Sequence, residues 1–390
     1  MKIAVLREIR AGEGRVGLVP DVVAKLVRAE HAVVVQAGAG EAGGWTDAAF
    51  TEAGATIAAD PAATVDGADV VVKVNPPTAD EAALLAKGQV LVSTLEPLDD
   101  RPGVERLAEA GVTAFGLELV PRTSRAQSMD VLSSMATVAG YRAVLMAAER
   151  LDKFFPMLMT AAGTVAPAKV FVVGAGVAGL QAIATARRLG AVVTAYDTRA
   201  AVREQVESLG AKFVDFKVTD DAEAEGGYAR ELTAEEQAKQ RELMSDHVAG
   251  QDVVITTALV PGRTAPVIVP ASTVERMRAG SVIVDLATAK GGNVEPSVHG
   301  EEVVHAGVRI IGPDNLPGGM PVHASQLFAK NVANLLELLA PGGELDVEQD
   351  DDIVEGTLAT FAGRVVHPLL RDRYGLDDDT ATTPGTGSAS

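Results

Sequence analysis

The sequence predicts an α/β protein made of two doubly wound, parallel-sheet domains, and three observations carry that reading. Short β-branched runs alternate with helical stretches through the first third of the chain, and again from Lys169 to Ile311. Such alternation implies parallel strands with helices on both faces of the sheet. Lys169–Ala201, KVFVVGAGVAGLQAIATARRLGAVVTAYDTRAA, reads as strand, tight turn, helix, strand. Between the two α/β stretches, Ser124–Lys153 carries Met129, Leu132, Met135, Val138, Leu145 and Met146 at helical spacing, as a connection between domains would.

Taken in order, the first domain has strand candidates at Ile3–Leu6, Ala32–Gln36, Val70–Val74, Val90–Leu95 and Val112–Leu117. Helices are expected near Asp21–Ala29, Asp80–Ala86 and Gly103–Ala110, with Gly88 and Gly111 where C-caps belong. GAGEAGG, at Gly38–Gly44, opens no long helix and reads as a loop. Ser124–Lys153 reads as two long uncapped helical segments. In the second domain strands are expected at Val170–Val173, Val192–Tyr196, Lys212–Phe216, Asp252–Thr256, Val282–Asp285 and Arg309–Ile311, six in all, which suits a doubly wound sheet. Thr219–His247 is long for a helix–strand connection and reads as a lid or a disordered insertion, with Gly226 and Gly227 as a hinge beside Tyr228. Ala324–Leu339 is amphipathic and returns the chain to the first domain. Asp352–Leu369 alternates like a hairpin turning near Ala362–Gly363, and Asp377–Ser390 has the composition of a disordered tail. The expected organisation is therefore 1–133 with 327–376, then 134–326, then a tail over 377–390.

The chain has 390 residues and 47% hydrophobic content, enough for two ordinary domains with sizeable cores. Its net charge of −19, from 34 basic and 53 acidic residues, argues against nucleic acid and against direct insertion into or adhesion to anionic lipid. There is no cysteine, hence no disulfide and no thiolate chemistry. The apolar run at the N-terminus is far too short for a signal peptide. The longest uncharged run, Val170–Ala186, is the strand–turn–helix itself, and no stretch resembles a membrane span. A soluble cytoplasmic protein is expected.

The glycine turn is the first candidate site. Gly174, Gly176 and Gly179 form G-x-G-x-x-G directly after a strand. Gly174 permits the sharp turn, Gly176 has no Cβ to block a pyrophosphate, and Gly179 lets the helix pack close. The helix Leu180–Leu189 opens there and presents free N–H groups and its positive dipole end to the phosphates. Asp197 ends the next strand roughly twenty residues on, where a carboxylate accepts from adenosine ribose hydroxyls. It would repel a 2′-phosphate, so NAD(H) is favoured over NADP(H). Arg199, two residues on beyond Thr198, weakens that preference slightly.

The remaining chemistry narrows by elimination. The six histidines are scattered with no metal-ligand spacing, and no G-x-S-x-G elbow occurs. The reaction then belongs to a nicotinamide ring. In RTSRAQSMDVLS, the residues by themselves read as helix capping and a solvated surface, through Ser124, Ser128 and Asp130.

At this point the sequence carries a specific resemblance. Glu13–Pro20, EGRVGLVP, together with VKV, RAQSMD, MTAAGTV, GAGVAGLQA, GGYA, TTALVPG and SVIVDLA, resembles two related families. These are the alanine dehydrogenases and the soluble NAD(H)-binding component, domain I, of the proton-translocating NAD(P)+ transhydrogenases. The likeness runs from about residue 1 to about residue 370, and RAQSMD, GGYA and GGN match the transhydrogenase side. The alanine dehydrogenase pattern places a lysine, a histidine and an aspartate where this chain has Asn75, Glu96 and Ala289; of that set only the arginine survives, as Arg15. Hydride passage between two nicotinamides forms no O–H or N–H bond and needs no general acid or base.

The resemblance implies two Rossmann-like domains with an NAD cleft between them. It implies an alpha subunit that exchanges hydride, Re/Si-specifically and coupled to proton translocation, with NADP(H) held on a partner. Arg122, Gln127, Asp130 and Ser133 would border the nicotinamide: Arg122 offering donors, Asp130 and Ser133 holding the carboxamide, Gln127 reaching the second nucleotide's ribose. Gly174, Gly176, Val177, Gly179, Asp197, Thr198 and Arg199 would hold the rest of NAD(H), with Gly227 and Tyr228 in a mobile lid and Thr257 and Leu259 on the adenine side. By their residues alone, Tyr228 reads as a linker tyrosine and Thr257 and Leu259 as core packing. The implied partners are membrane-spanning subunits, an NADP(H)-binding domain and a second copy of the chain. The implied location is cytoplasmic, peripheral to the inner membrane. Two rival functions stay open: an amino-acid dehydrogenase using Glu96 and Arg15, and a non-catalytic NAD-sensing module.

Overall fold

A computed structural model of the chain describes residues 1–216, 234–259, 262–348 and 350–376. The chain falls into two compact units, Met1–Met135 with the chain from Pro317 onward, and Ala136–Leu316. The second junction thus lies just ahead of the returning helix, Pro321–Leu339, whereas the sequence places it at residue 327. In chain order the strands are β1 (Lys2–Val5), β2 (Ala32–Gln36), β3 (Thr56–Ala58), β4 (Val70–Val72), β5 (Val90–Ser93), β6 (Thr113–Gly116), β7 (Leu158–Thr160), β8 (Gly163–Val165), β9 (Lys169–Val173), β10 (Val192–Tyr196), β11 (Lys212–Phe213), β12 (Val253–Thr256), β13 (Val282–Asp285), β14 (Glu302–His305), β15 (Val308–Ile311), β16 (Leu358–Phe361) and β17 (Arg364–Val365).

The first unit is a sheet in the order β17-β16-β6-β5-β4-β1-β2-β3. From β6 to β3 every neighbouring pair is parallel, with Val5 opposite Val35 and Val72. Its central strands are buried on both faces, which is why they read as unbroken runs of valine rather than alternating. Helices on the two faces are started by side chains that the sequence supplies locally. Asp60 and Asp100 each accept from a backbone N–H three residues on, and Thr78 and Glu81 form a reciprocal capping box. The Pro321–Leu339 helix buries Phe328, Val332, Leu335, Leu336 and Leu339 in the core of this unit.

One expectation fails here. Asp352–Thr357 is a helix rather than the first arm of a hairpin, because Asp351 accepts from Ile353 and Val354 N–H and caps it. Only β16 and β17 form the hairpin, turning through Ala362 (φ 48°) and Gly363 (φ 82°), both left-handed as a tight two-residue turn requires.

The second unit is a sheet in the order β11-β10-β9-β12-β13-β15-β14, parallel except for its last pair. It has one strand more than the six expected. β14 is an antiparallel edge whose residues are exposed or half-buried, so it lacks the apolar signature of its neighbours. β7 and β8 form a separate two-stranded hairpin.

The expected pair of uncapped helices is a single helix, Val131–Arg150, and it is capped, by Asp130. By length and composition this helix does reach the hydropathy of a membrane span, with a mean of 1.4 over its most apolar window, which corrects the expectation that no stretch would. Its Ala143, Val144 and Ala147 are fully buried in the core of the second unit. At Gly140 a Cβ would lie 2.1 Å from the carbonyl oxygen of Ala178, so the glycine permits backbone contact between helices. Of that apolar window 33% is buried, so packing accounts for part of its composition.

Candidate functional site

In the second unit β9 runs into Gly174, Ala175 and Gly176, and the helix Val177–Arg188 follows. The three glycines are required for three different reasons. Gly174 has φ 94°, and a Cβ there would lie 2.5 Å from the Thr257 hydroxyl, so both backbone and packing exclude other residues. At Gly179 a Cβ would sit 1.8 Å from the Gly174 carbonyl oxygen, so this glycine lets the helix close onto the turn. At Gly176 a Cβ would meet nothing within 4 Å. Protein packing does not demand that glycine; what it provides is bare backbone facing open space. No side chain caps the helix at Gly176, which leaves its first N–H groups to an outside acceptor. Val177, at the first helical position, and Thr198 are both exposed.

Asp197 lies at the end of β10, its side chain only 7% exposed. Its carboxylate already accepts four hydrogen bonds from the protein. Oδ1 accepts from Arg199 N (2.8 Å) and Nε (3.0 Å); Oδ2 accepts from Ala175 N (2.8 Å) and Arg199 Nη2 (3.0 Å). Burial by itself would raise the carboxyl, but the hydrogen bonds from Arg199 and Ala175 and the guanidinium charge outweigh it and hold Asp197 below the usual range.

Thr257, expected on the adenine side, braces the glycine turn: its hydroxyl donates to Gly174 O at 3.1 Å and Val173 O at 3.3 Å. Leu259, two residues on, is half exposed. Of the expected insertion Thr219–His247, residues 219–233, with Gly227 and Tyr228, lie outside the described residues, as does the tail. The remainder belongs to a helix, Ala234–Ala249, whose Met244 and Val248 are buried in the core of the second unit, so that part is neither lid nor disordered.

Two residues that matter here are not singled out by the sequence. Asp285 is completely buried at the end of β13. It accepts from the Thr256 hydroxyl, from Ala287, Asn293 and Val294 N–H, and from the Ser297 hydroxyl, all within 3.0 Å. Asn293, equally buried, clasps both the N–H and the C=O of Ala258 at 2.9 Å and also reaches Pro266 O. Together they set the backbone of the loop that carries Thr257 and Leu259. The available signal is an acid ending an apolar strand, followed eight residues on by the asparagine of GGN.

The other expected residues sit in the first unit. Ser133 donates to Asp130 through its N–H (2.9 Å) and its hydroxyl (2.6 Å), so Asp130 is both helix cap and partner of Ser133. The segment before them is pinned. Asn331 and Asn334 both donate to Ser128 O, and Arg125 grips Asp351 and Asp352. Arg122 and Gln127 are exposed, and among the described residues their side chains hold no hydrogen bond. Each unit therefore gathers its own set: the glycine turn with Asp197, Thr198, Arg199 and Thr257 in one, and Arg122, Gln127, Asp130 and Ser133 in the other.

Two family models cover most of the chain: the alanine dehydrogenase/PNT N-terminal domain matches residues 4–139 and the C-terminal domain residues 143–368. The chain belongs to the alanine dehydrogenase/PNT family. Among its relatives, an NAD(P) transhydrogenase alpha-subunit polypeptide of Rhodospirillum rubrum is 50% identical over 382 residues, covering 95% of this chain and 99% of that one. A solved transhydrogenase from Sinorhizobium meliloti superposes with a TM-score of 0.83 at 43% identity, over 95% of this chain and 100% of that one. A solved L-alanine dehydrogenase gives 0.81 at 31% identity, over 96% and 99%. Both branches of the alanine dehydrogenase/PNT family thus share this fold.

Asn75 stands where the resemblance to the alanine dehydrogenases implies a lysine. At the carboxyl ends of β1, β4, β5 and β6 lies a network of charged side chains. Lys73, buried, meets Glu8 at 3.0 Å and Glu81 at 3.4 Å. Asn75 donates to Glu8 (2.8 Å) and to Glu13 (3.0 Å). Arg15 forks onto Glu13 through Nε (2.8 Å) and Nη2 (2.6 Å). Arg10 meets Glu96 at 2.7 Å. Burial alone would raise the Glu13 carboxyl, but Arg15 and Asn75 outweigh it and hold it at about 2. Glu96 has φ 48°, and its N–H and that of Leu95 donate to Glu118, whose own carboxyl burial pushes upward. In this family member three cations thus face five carboxylates, and each cation already has an acidic partner.

Proposed function

We propose that this chain is the NAD(H)-binding subunit of a proton-translocating NAD(P)+ transhydrogenase and passes hydride, with fixed facial specificity, between NAD(H) and NADP(H) held on a partner subunit. The observation that carries the reading is the network around Asn75. A site that takes a small amino or keto acid must offer uncommitted positive charge to a carboxylate and a group that moves a proton. Here Arg15 is committed to Glu13 and Lys73 to Glu8 and Glu81, and carboxylates outnumber cations. Hydride exchange between two nicotinamides makes neither demand. The 50% identity to a transhydrogenase alpha subunit supports the same choice.

In this reading the bare backbone at Gly176 and the uncapped helix start hold the pyrophosphate, and Asp197 takes the adenosine ribose. Asp130 and Ser133 hold the carboxamide and so decide which ring face is presented, with Arg122 and Gln127 exposed toward a partner's nucleotide. The nicotinamide supplies the hydride; the protein's task is to bring the reacting carbons to about 3–3.5 Å and keep them aligned. NADP(H) and the membrane spans belong to partner subunits, and the chain is peripheral to the membrane through them. A second copy of the chain is a further partner: the β7–β8 hairpin carries Met159 81% exposed, beside Met157 and Val165.

The test is isotopic. Mixed with an NADP(H)-binding component, the chain should move deuterium from the 4-position of NADH directly to the acceptor nucleotide. No label should enter water, and pyruvate with ammonia should not oxidise NADH. Turnover with pyruvate and ammonia, or label in the solvent, would refute the proposal.

A further inference from the structure

The carboxylate of Asp197 is full. A carboxylate offers about four lone-pair positions, and four donors occupy these: Ala175 N, Arg199 N, and Nε and Nη2 of Arg199. The two backbone donors belong to the turn and stay. The two guanidinium donors sit on a side chain that is 62% exposed, so water can take over their hydrogen bonds when they leave the 7% exposed carboxylate.

We propose that Arg199 is a built-in competitor for the ribose site. Its guanidinium covers Asp197, has to be displaced when a dinucleotide binds, and lowers the discrimination of Asp197 against a 2′-phosphate. This rests on the reading of the second unit as the NAD(H) site. A ribose diol donates two hydrogen bonds, and the two positions it needs are those Arg199 holds. Displacement subtracts from NADH affinity. A 2′-phosphate meets a different balance. The positive charge of Arg199 offsets that of Asp197, and its five donors remain within reach of the 2′ position. The competitor therefore costs the nucleotide without a 2′-phosphate and spares the one that has it.

The test titrates the full chain with NADH and with NADPH, comparing wild type, Arg199→Ala, Asp197→Ala and the double variant. Arg199→Ala should tighten NADH about two- to fivefold, the worth of a pair whose cation lies largely in water, and weaken NADPH, so that the ratio widens. On the Asp197→Ala background the same substitution should leave NADH affinity unchanged, since nothing is left to uncover. Weaker NADH binding in Arg199→Ala, an unchanged or narrowed ratio, or equal tightening on both backgrounds would overturn the proposal. Asp197→Ala alone examines the reading beneath it: NADH affinity equal to wild type would remove the ribose assignment itself, whatever Arg199 does.

Discussion

The two units use one architecture in opposite ways. Each is a largely parallel sheet, and in such sheets ligands bind beyond the carboxyl ends of the strands. In the second unit the end of β9 is kept bare. Gly176 has open space where a Cβ would be, its helix has no side-chain cap, and Asp285 and Asn293 shape the neighbouring loop from below. In the first unit the equivalent ends are filled. Glu8, Glu13, Asn75, Lys73 and Arg15 satisfy one another, and Glu118 holds the left-handed Glu96 in place. The same fold thus leaves a strand end bare in one unit and fills its strand ends with side chains in the other. Which side chains stand at the strand ends decides this, and the strand order does not.

The sharpest way to break the comparison is to fill the bare end. Gly176→Val should abolish measurable NADH binding, a loss of more than about a hundredfold, by placing two methyl groups where the pyrophosphate approaches. The melting temperature should hardly move, because φ at Gly176 is −75° and a Cβ meets nothing. Gly174→Ala, a smaller change, should instead destabilise the unit, by its φ of 94° and the 2.5 Å approach to Thr257. If Gly176→Val binds NADH as wild type does, the open end is not the phosphate site.

The closed end should reveal itself in acid. Glu13 ionises at about 2 in the folded chain against an ordinary 4.5. A depressed carboxyl contributes stability that is present above its unfolded value and lost as pH falls through its folded one. By linkage this is worth about 3 kcal/mol, disappearing between about pH 5 and pH 2. Glu118, raised by burial, has the opposite sign: it opposes folding at neutral pH and stops doing so as it protonates. Denaturant midpoints measured from pH 7 downward should therefore fall steeply at the acid end, and Glu13→Gln should flatten that limb. An unchanged limb would mean that Arg15 and Asn75 do not hold the charge.

How much of this is legible in the sequence depends on where the decisive contact lies along the chain. Runs such as Val70–Val72 announce themselves because both faces are buried and nothing polar interrupts them. β14 does not, because an edge strand of Glu, Val, Val and His has only one protected side. Asp352–Thr357 reads as extended from its valine and threonine; the local cap by Asp351 outweighs those propensities. In the site, the three glycines are readable because their demands are conformational and local. The closeness of Arg199 to Asp197 can be read from spacing, but its filling of the carboxylate cannot, since that also takes Ala175 N, 22 residues away. The network around Asn75 joins residues up to 86 apart, so a substitution there is visible in the sequence while its consequence is not.

Asp130 and Ser133 have the smallest expected effect and lie between the two uses, since they are at once structure and proposed site. Ser133 gives its hydroxyl proton to Asp130 at 2.6 Å, so toward any other group its hydroxyl oxygen can only accept. An acceptor suits the amide N–H2 of a nicotinamide carboxamide. Asp130→Asn keeps the helix cap, because asparagine caps as well as aspartate does. It reverses the pair, however: the new amide donates to Ser133, and the hydroxyl proton turns outward. If capping is all that Asp130 does, the variant should match wild type in both stability and hydride exchange. If the pair orients the ring, melting should be unchanged while deuterium transfer from NADH slows about tenfold, the worth of one misplaced hydrogen bond. Equal transfer rates in the two proteins would return Asp130 to the role of a cap.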